Sequence, residues 1–481
     1  MKKRVVFCTL LSVALLAKRA PSEAQSAPTT QKDVLSVVHS IANDGRFRES
    51  AIGISVLDLE SDQVLGAHQE HEPLNPASNA KLYTAAAALA LLSPSYRYHT
   101  AIYGVRRGES VAGPLVIRGH GDPSLKTGDL IAMASELAQS GIRNVDGDIL
   151  VDQSFFDDVY TPPAFEQQPT EWAYFRAPVS AVAVNGNTLI ASVHPTKKGS
   201  AASVTFDPPG FVDAEGTVAT SGDSEPAVKL SLAPNGRRLT AHLGGHIAEG
   251  SHTFPVIKRV EDPTLFAGYV LKSALERVGI KVAGDVKAGS SRGNLLVRHE
   301  SAPLSALLHR VGKNSDNFYA EMIFKSLSGE VRGGTAKSAT SAEAIQAWVE
   351  HVGASDRGLV IKNGSGLFDA NRVTAASITA LLRAAFEDKR IEPEFMAQLA
   401  VSGMDGTLEG RLKGPRTKGL VRAKTGTLND VIALSGYVLR TKKKPVAFAC
   451  IFNRVTGKQD GARAACNRLV EKIAKLGAQA E

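Results

Sequence analysis

Three short stretches hold the residues with the most chemistry to offer. In the first, Ser78 is followed three residues later by Lys81, at the head of an Ala-rich apolar run that ends near Leu92. Positions i and i+3 of a helix share a face, so the hydroxyl and the amine can meet. A serine hydroxyl is a weak nucleophile until a neighbouring base takes its proton. A lysine can be that base where burial or nearby cations lower its pKa. The helix N-terminus adds a positive field where an oxyanion would form. The second stretch is Ser315-Asp316-Asn317, at the junction of two predicted helices; the third is Lys424-Thr425-Gly426-Thr427, which reads as a strand. Each string is common by itself, and an isolated Ser-x-x-Lys is more often a solvated lysine on an exposed helix. All three in this order and these settings point to acyl transfer through a covalent serine intermediate.

The elements that must position these stretches lie at both ends of the chain. Asp33 to Ala42 has helical apolar spacing, and Ala51 to Leu59 reads as a strand with Val64 to His68 as its hairpin partner. Along the first strand the alternation shifts by one at Leu57. The Ser78 helix stops at Ser93-Pro94, since a residue before proline disfavours helix. From Pro303 onward helices dominate, including one opened by a Thr340/Glu343 capping box. A hairpin about Lys442-Lys443-Lys444 and a helix from Asp460 to Leu476 close the chain. Between the ends lie short strands, a helix from Leu130 to Gln139, and a helix capped by Asp262-Pro263. The economical architecture is one catalytic domain from residues 28–95 and 300–481. It is interrupted by an inserted α/β domain (96–200 and 256–299), with a small β-rich unit nested at 201–255.

Composition supports an exported globular protein. With 43% hydrophobic and 22% charged residues the chain is ordinary for a packed domain, and 481 residues allow two or three of them. Met1-Lys2-Lys3-Arg4, the apolar run Val5 to Ala17 and the small residues after it read as a signal peptide, residues 1–24, too short to span a bilayer. Its removal takes five basic residues and one acidic one, so the formal charge falls from +8 to +4. That balance fits solubility near an anionic envelope and argues against nucleic acid. The compartment is expected to lie across the inner membrane, with the periplasm as the preferred reading. Cys450 and Cys466 are the only cysteines after export, and they read equally well as a pair or as two buried thiols. His68, His71 and His120 lack partners at ligand spacing, so neither a metal nor any other cofactor is expected.

The motif set resembles that of the serine penicillin-recognising enzymes. More closely, the chain looks like the class C low-molecular-mass penicillin-binding proteins, the D-alanyl-D-alanine carboxypeptidase/endopeptidase family. The spacing of 237 positions from Ser78 to Ser315 is the room that inserted domains fill in that family. Similar strings recur at Gly119 to Leu125, Ala177 to Ala181, Asn363 to Leu367 and Gly403 to Leu408. The resemblance implies a β-lactamase/transpeptidase-like α/β (α+β) fold, with an antiparallel sheet flanked by helices. It implies that Ser78 attacks a D-Ala-D-Ala peptide bond, that Lys81 takes its proton, and that Ser315 relays the proton to the leaving amine. Asn317 would position Lys81 and the substrate amide. Lys424, with Thr425 and Thr427, would hold the terminal carboxylate. The backbone N–H groups of Ser78 and Thr427 would form the oxyanion hole. Gly426 would let backbone and substrate approach closely. The implied partners are peptidoglycan stem peptides ending in D-Ala-D-Ala, and β-lactam antibiotics as covalent inhibitors. Asp152 is similar to the family's partner for the amino end of the stem peptide's side chain. Where the family carries an arginine for the acidic end, this chain has Asp369, with Arg372 nearby as a substitute.

Two other readings share these residues. A β-lactamase needs a base to activate the deacylating water, and no residue here follows the expected pattern for one. A silent envelope protein that only binds peptidoglycan or antibiotic would have no use for Ser78, Lys81, Ser315, Asn317 and Lys424 together.

Overall fold

The computed structural model describes residues 31–168, 172–222, 225–236 and 238–476; the stretch read as a signal peptide lies outside them. Its centre is a six-stranded antiparallel sheet in the order Ala400–Val401, Val421–Leu428, Val431–Arg440, Lys443–Asn453, Ala51–Asp58, Gln63–His68. The two ends of the chain meet inside this sheet, at its fourth and fifth strands. Ala51 lies opposite Asn453 and Asp58 opposite Val446, with unbroken register between. Two of its hairpin turns carry a residue in the left-handed region, Asp62 at φ 56° and Lys442 at φ 59°.

Both faces of the sheet are covered, which is why its strands read as nearly continuous apolar runs. Ile52, Ile54 and Val56 pack beneath helices Gln31–Ala42 and Gln459–Ala474, in a cluster with Val34, Val38, Leu469 and Ile473. On the other face Leu57 joins a larger cluster with helices Ala80–Leu92, Asn317–Arg332 and Ala375–Glu387. The shift of alternation at Leu57 coincides with a bulge in the hairpin between Val56 and Leu57. Helix Ala80–Leu92 is buried on all sides from Ala80 to Leu89, as an all-round apolar helix must be.

The insert carries a five-stranded sheet in the order Val286–Ala288, Ile149–Asp152, Leu115–Gly119, His99–Gly104, Asn294–Glu300. Helices Thr127–Gln139 and Phe266–Arg277 contribute Leu130, Met133, Val270 and Leu271 to its core. Strand pairing crosses the expected edges of the nested unit. Thr188–His194 pairs with both Ser203–Asp207 and Phe254–Arg259, so the β-rich part runs from about 188 to 259. Its core is divided: Leu189, Phe211, Leu232 and Leu239 share one cluster with Phe266 and Val270, while Val193, Val218 and Ile247 form a small cluster within the unit itself.

Two helix starts differ from the sequence reading. The helix assigned a Thr340/Glu343 capping box begins earlier, at Ser338, and Glu343 instead accepts from Arg332 at 3.1 Å. Asp262 accepts from the N–H of Thr264 at 2.9 Å in a turn that precedes the helix, which starts at Phe266. Cys450 and Cys466 are free buried thiols whose sulfurs lie 2.9 Å apart, between the sheet and the closing helix.

Phe448 is fully buried in the cluster that joins the terminal helices to the sheet. Phe448→Ala should therefore lower unfolding stability by about 3–5 kcal/mol. Urea denaturation with an unchanged midpoint would show that the two chain ends are not joined in this way.

Candidate active site

Ser78 sits in a short 3-10 turn, Ala77–Asn79, that runs directly into helix Ala80–Leu92. The sequence reading put it in the helix itself. Ala77 adopts φ 46°, a conformation unusual for a residue with a Cβ, and its N–H is held by Asn75 Oδ1 at 2.9 Å. Two glycines make room for this turn. A Cβ on Gly366 would stand 1.8 Å from the Ala77 carbonyl oxygen. One on Gly426 would stand 2.9 Å from both the Pro76 carbonyl oxygen and Asn79 Nδ2. Gly426 thus serves the close approach of strand Val421–Leu428 to the serine turn, a use that the sequence reading gave to the substrate.

Lys81 Nζ has three neighbours: Ser78 Oγ at 3.1 Å, Asn317 Oδ1 at 2.8 Å and the Ser365 carbonyl oxygen at 2.6 Å. The last two can only accept. A neutral amine has two N–H bonds and one lone pair, so donation to Asn317 and Ser365 leaves the lone pair facing the serine hydroxyl. Burial pushes the Lys81 pKa down to about 7, against the opposing pull of Glu321 and Asp316. The lysine is 1% exposed, so the proton acceptor is kept from bulk water.

Asn317 and Glu321 lie one turn apart on helix Asn317–Arg332 and so share a face. Asn317 Nδ2 donates to the Phe175 carbonyl at 3.3 Å, which fixes its oxygen toward Lys81. Glu321 works through the backbone. Its carboxylate accepts from the N–H of Gly364 at 3.1 Å and of Ser365 at 2.7 Å, and so holds the loop whose carbonyl meets Lys81. The sequence reading missed Glu321 and the Ser365 carbonyl. The available signal was an acidic residue inside the apolar run Ala320 to Phe324, four positions after Asn317.

Ser315 lies just before this helix, at φ 59°. Asp316 caps the helix by accepting from the N–H of Tyr319 at 3.2 Å. The left-handed backbone at Ser315 is strained for a residue with a Cβ, as is common at functional turns. Its Oγ meets Lys424 Nζ at 2.8 Å, and Lys424 also donates to the Thr425 carbonyl at 2.9 Å. Burial, reinforced by the charge of Lys81, holds Lys424 well below the ordinary lysine pKa. Thr425 Oγ1 donates to Thr407 Oγ1 at 2.9 Å. Ala400–Val401 pairs only with Arg422 and Ala423 on that side of the neighbouring strand. Among the described residues no strand pairs with the edge from Lys424 onward, where Thr427 is exposed and a peptide backbone could add.

Asp152 does not join this group. It is 2% exposed, in the insert's sheet, and accepts from Arg118 Nε at 2.6 Å and from the N–H of Ser154 at 3.0 Å. These partners fill the carboxylate that was expected to meet a substrate amine. Asp369 and Arg372 pair with each other, at 2.5 and 3.1 Å, so Arg372 does not stand free. Both line a cleft of about 930 Å3 that reaches Thr427 and also carries Arg454 and Arg463.

A serine facing a buried lysine, with a second serine–lysine pair formed between a helix start and a strand, defines an active-serine acyl-transfer enzyme. The profile of the D-Ala-D-Ala carboxypeptidase 3 (S13) family matches residues 34–475, and the chain belongs to that family. It is 31% identical over 475 residues to a D-alanyl-D-alanine carboxypeptidase of Actinomadura sp. (strain R39), a match covering 94% of this chain and 87% of that protein. It is 25% identical over 421 residues to the D-alanyl-D-alanine carboxypeptidase DacB of Haemophilus influenzae, covering 84% and 85%. The crystal structure of penicillin binding protein 4 from Haemophilus influenzae shares the fold, with a TM-score of 0.74 over 88% of this chain and 93% of that one at 24% identity.

Glu321 stabilises the charged form of Lys81. Glu321→Gln should therefore move the inflection of the acylation rate against pH to lower pH than in the parent. The same change places an amide donor against the N–H groups of Gly364 and Ser365, at a stability cost of about 1–3 kcal/mol. An inflection that stays in place would show that Glu321 does not act on Lys81.

Proposed function

We propose that the protein cleaves D-Ala-D-Ala bonds of peptidoglycan stem peptides as carboxypeptidase and endopeptidase, through an acyl-enzyme on Ser78, and that penicillins acylate the same oxygen. The observation that carries this reading is the three-way contact of Lys81 Nζ with Ser78, Asn317 and Ser365. In the first step the proton of Ser78 Oγ passes to the neutral Lys81 amine while Oγ bonds to the substrate carbonyl carbon. The substrate backbone lies along the open strand edge, where the N–H groups of Ser78 and Thr427 receive the oxyanion. The C–N bond then breaks, and the proton leaves Lys81 through Ser315 for the departing amine. Water repeats the sequence in reverse and frees Ser78. An anionic group of the substrate beside Lys424 and Thr425 favours the charged form of Lys424 and so offsets the effect of burial.

The leader-like segment at residues 1–24 supports action beyond the cytoplasmic membrane, with the periplasm as the proposed compartment. Among the described residues no helix is long and apolar enough to cross a membrane. Recovery of an uncleaved chain from the cytosol would sink this placement.

A fluorescent penicillin should give a long-lived adduct on the protein, and Ser78→Ala should give none. Lys81→Met should slow acylation by about 10²–10⁴-fold, the usual share of a general base. The neutral base grows as pH rises, so acylation should increase through about pH 7 and level off above it. A rate that falls over that interval excludes Lys81 as the base. Rapid turnover of the adduct would favour a β-lactamase, and no adduct a silent binder.

A further inference from the structure

A second cleft, of about 620 Å3, opens beside Ser315 and Asn317. One wall is formed by Ile190 and Ile257, which stand directly opposite each other on neighbouring strands of the nested sheet. Lys126, at the head of helix Thr127–Gln139, lines another side. The cleft that reaches Thr427 and this one both touch Phe175, whose carbonyl is bound by Asn317. Ser315 lines only the second.

We propose that this second cleft binds the peptide on the leaving side of a cross-linked stem peptide, and that the nested β-rich unit is present to form it. The inference rests on the D-Ala-D-Ala peptidase reading. If Ser315 hands the proton to the departing amine, that amine lies beside Ser315. Whatever the departing residue carries beyond a methyl group must then extend from there. A departing free alanine leaves most of the cleft unused, because its volume falls in the range of roughly 300–1,000 Å3 that houses drug-sized ligands. The lining suits a peptide strand that presents both apolar and charged groups. Ile257 is 40% exposed, an apolar surface that water would otherwise cover. Lys126 offers a cation, Asp207 an anion, and Arg310 and Asp316 form a pair at 3.0 Å across the rim. Among the described residues, no hydrogen bond of Ser78, Lys81, Ser315 or Lys424 reaches residues 188–259. The nested unit therefore contributes no hydrogen bond to these four catalytic side chains; it borders the site through this wall and through strand Phe254–Arg259, which packs against the Tyr174–Arg176 turn whose Phe175 carbonyl binds Asn317.

The test uses the full chain, with Ile257→Glu and Lys126→Ala as variants, on two substrates. One is a pentapeptide ending in D-Ala-D-Ala, and the other a cross-linked peptide dimer. Each variant should lose about tenfold or more in kcat/KM for the dimer, mainly through KM, while pentapeptide cleavage and penicillin acylation stay within about twofold. Thermal midpoints matching the parent confirm that folding is intact. Unchanged dimer cleavage in both variants, a parallel loss on both substrates, or a parent enzyme that cuts the pentapeptide but not the dimer would each overturn the proposal. A parent that neither releases D-Ala nor forms a penicillin adduct would overturn the peptidase reading itself, a result distinct from the other three.

Discussion

The interaction on which the rest depends is the desolvation of Lys81. An ammonium group in water holds its proton to high pH and cannot serve a serine at neutrality. Removing water disfavours the charged form, but a buried amine must still find partners for its N–H groups. Asn317 Oδ1 and the Ser365 carbonyl supply two of them and orient the lone pair. A stronger negative charge in direct contact would restore the ammonium and end its use as a base. Glu321 is placed one step back, bound to the amides of Gly364 and Ser365 rather than to Lys81. Its charge still reaches the lysine, but weakly enough that burial wins.

That arrangement needs four segments far apart in sequence to close on one point. The sheet makes this possible because one of its interior pairings joins residues 51–58 to 446–453. The serine turn packs directly against the Lys424 strand of this layer. Helix Asn317–Arg332 then crosses that layer with one face devoted to polar work. Asn317 and Glu321 serve Lys81, and Lys325, one turn further, binds Asp157 at 2.5 Å and the Val159 carbonyl at 2.7 Å. The same helix thus sets the lysine and anchors the insert's loop, so the insert is held in register with the site.

Much of this was legible because the chemistry sits in side chains with local signatures. Ser78 and Lys81 share a helical spacing, Ser315 to Asn317 read as a junction of two helices, and Lys424 to Thr427 read as strand. The hairpins at both ends were legible from period-two patterns, and even the bulge at Leu57 left a trace as a change of side. What escaped works through the backbone or through contact. The Ser365 carbonyl carries no sequence signal, and Glu321 is known only by the amides that it binds. The reason for Gly426 is the distance to Pro76, which no string encodes. The edge of the nested unit was misplaced because strand Thr188–His194 alternates like any strand, and only its pairing partners show which sheet it belongs to.

The departure from the family pattern at Asp369 raises a question of charge rather than of catalysis. An arginine at the position of Asp369 would face the cleft at Thr427 as an unopposed cation. Here Asp369 and Arg372 neutralise each other, and Asn75 adds a hydrogen bond to the carboxylate at 3.1 Å. Such a pair, more than a third exposed on both sides, is held only weakly by Coulomb attraction. It can open for a ligand that offers both guanidinium and carboxylate a better partner. A side chain ending in both an amine and a carboxylate meets that description, while one with a carboxylate alone must compete with Asp369 for Arg372. Asp152, buried against Arg118, cannot take the amine's part without first giving up that ion pair.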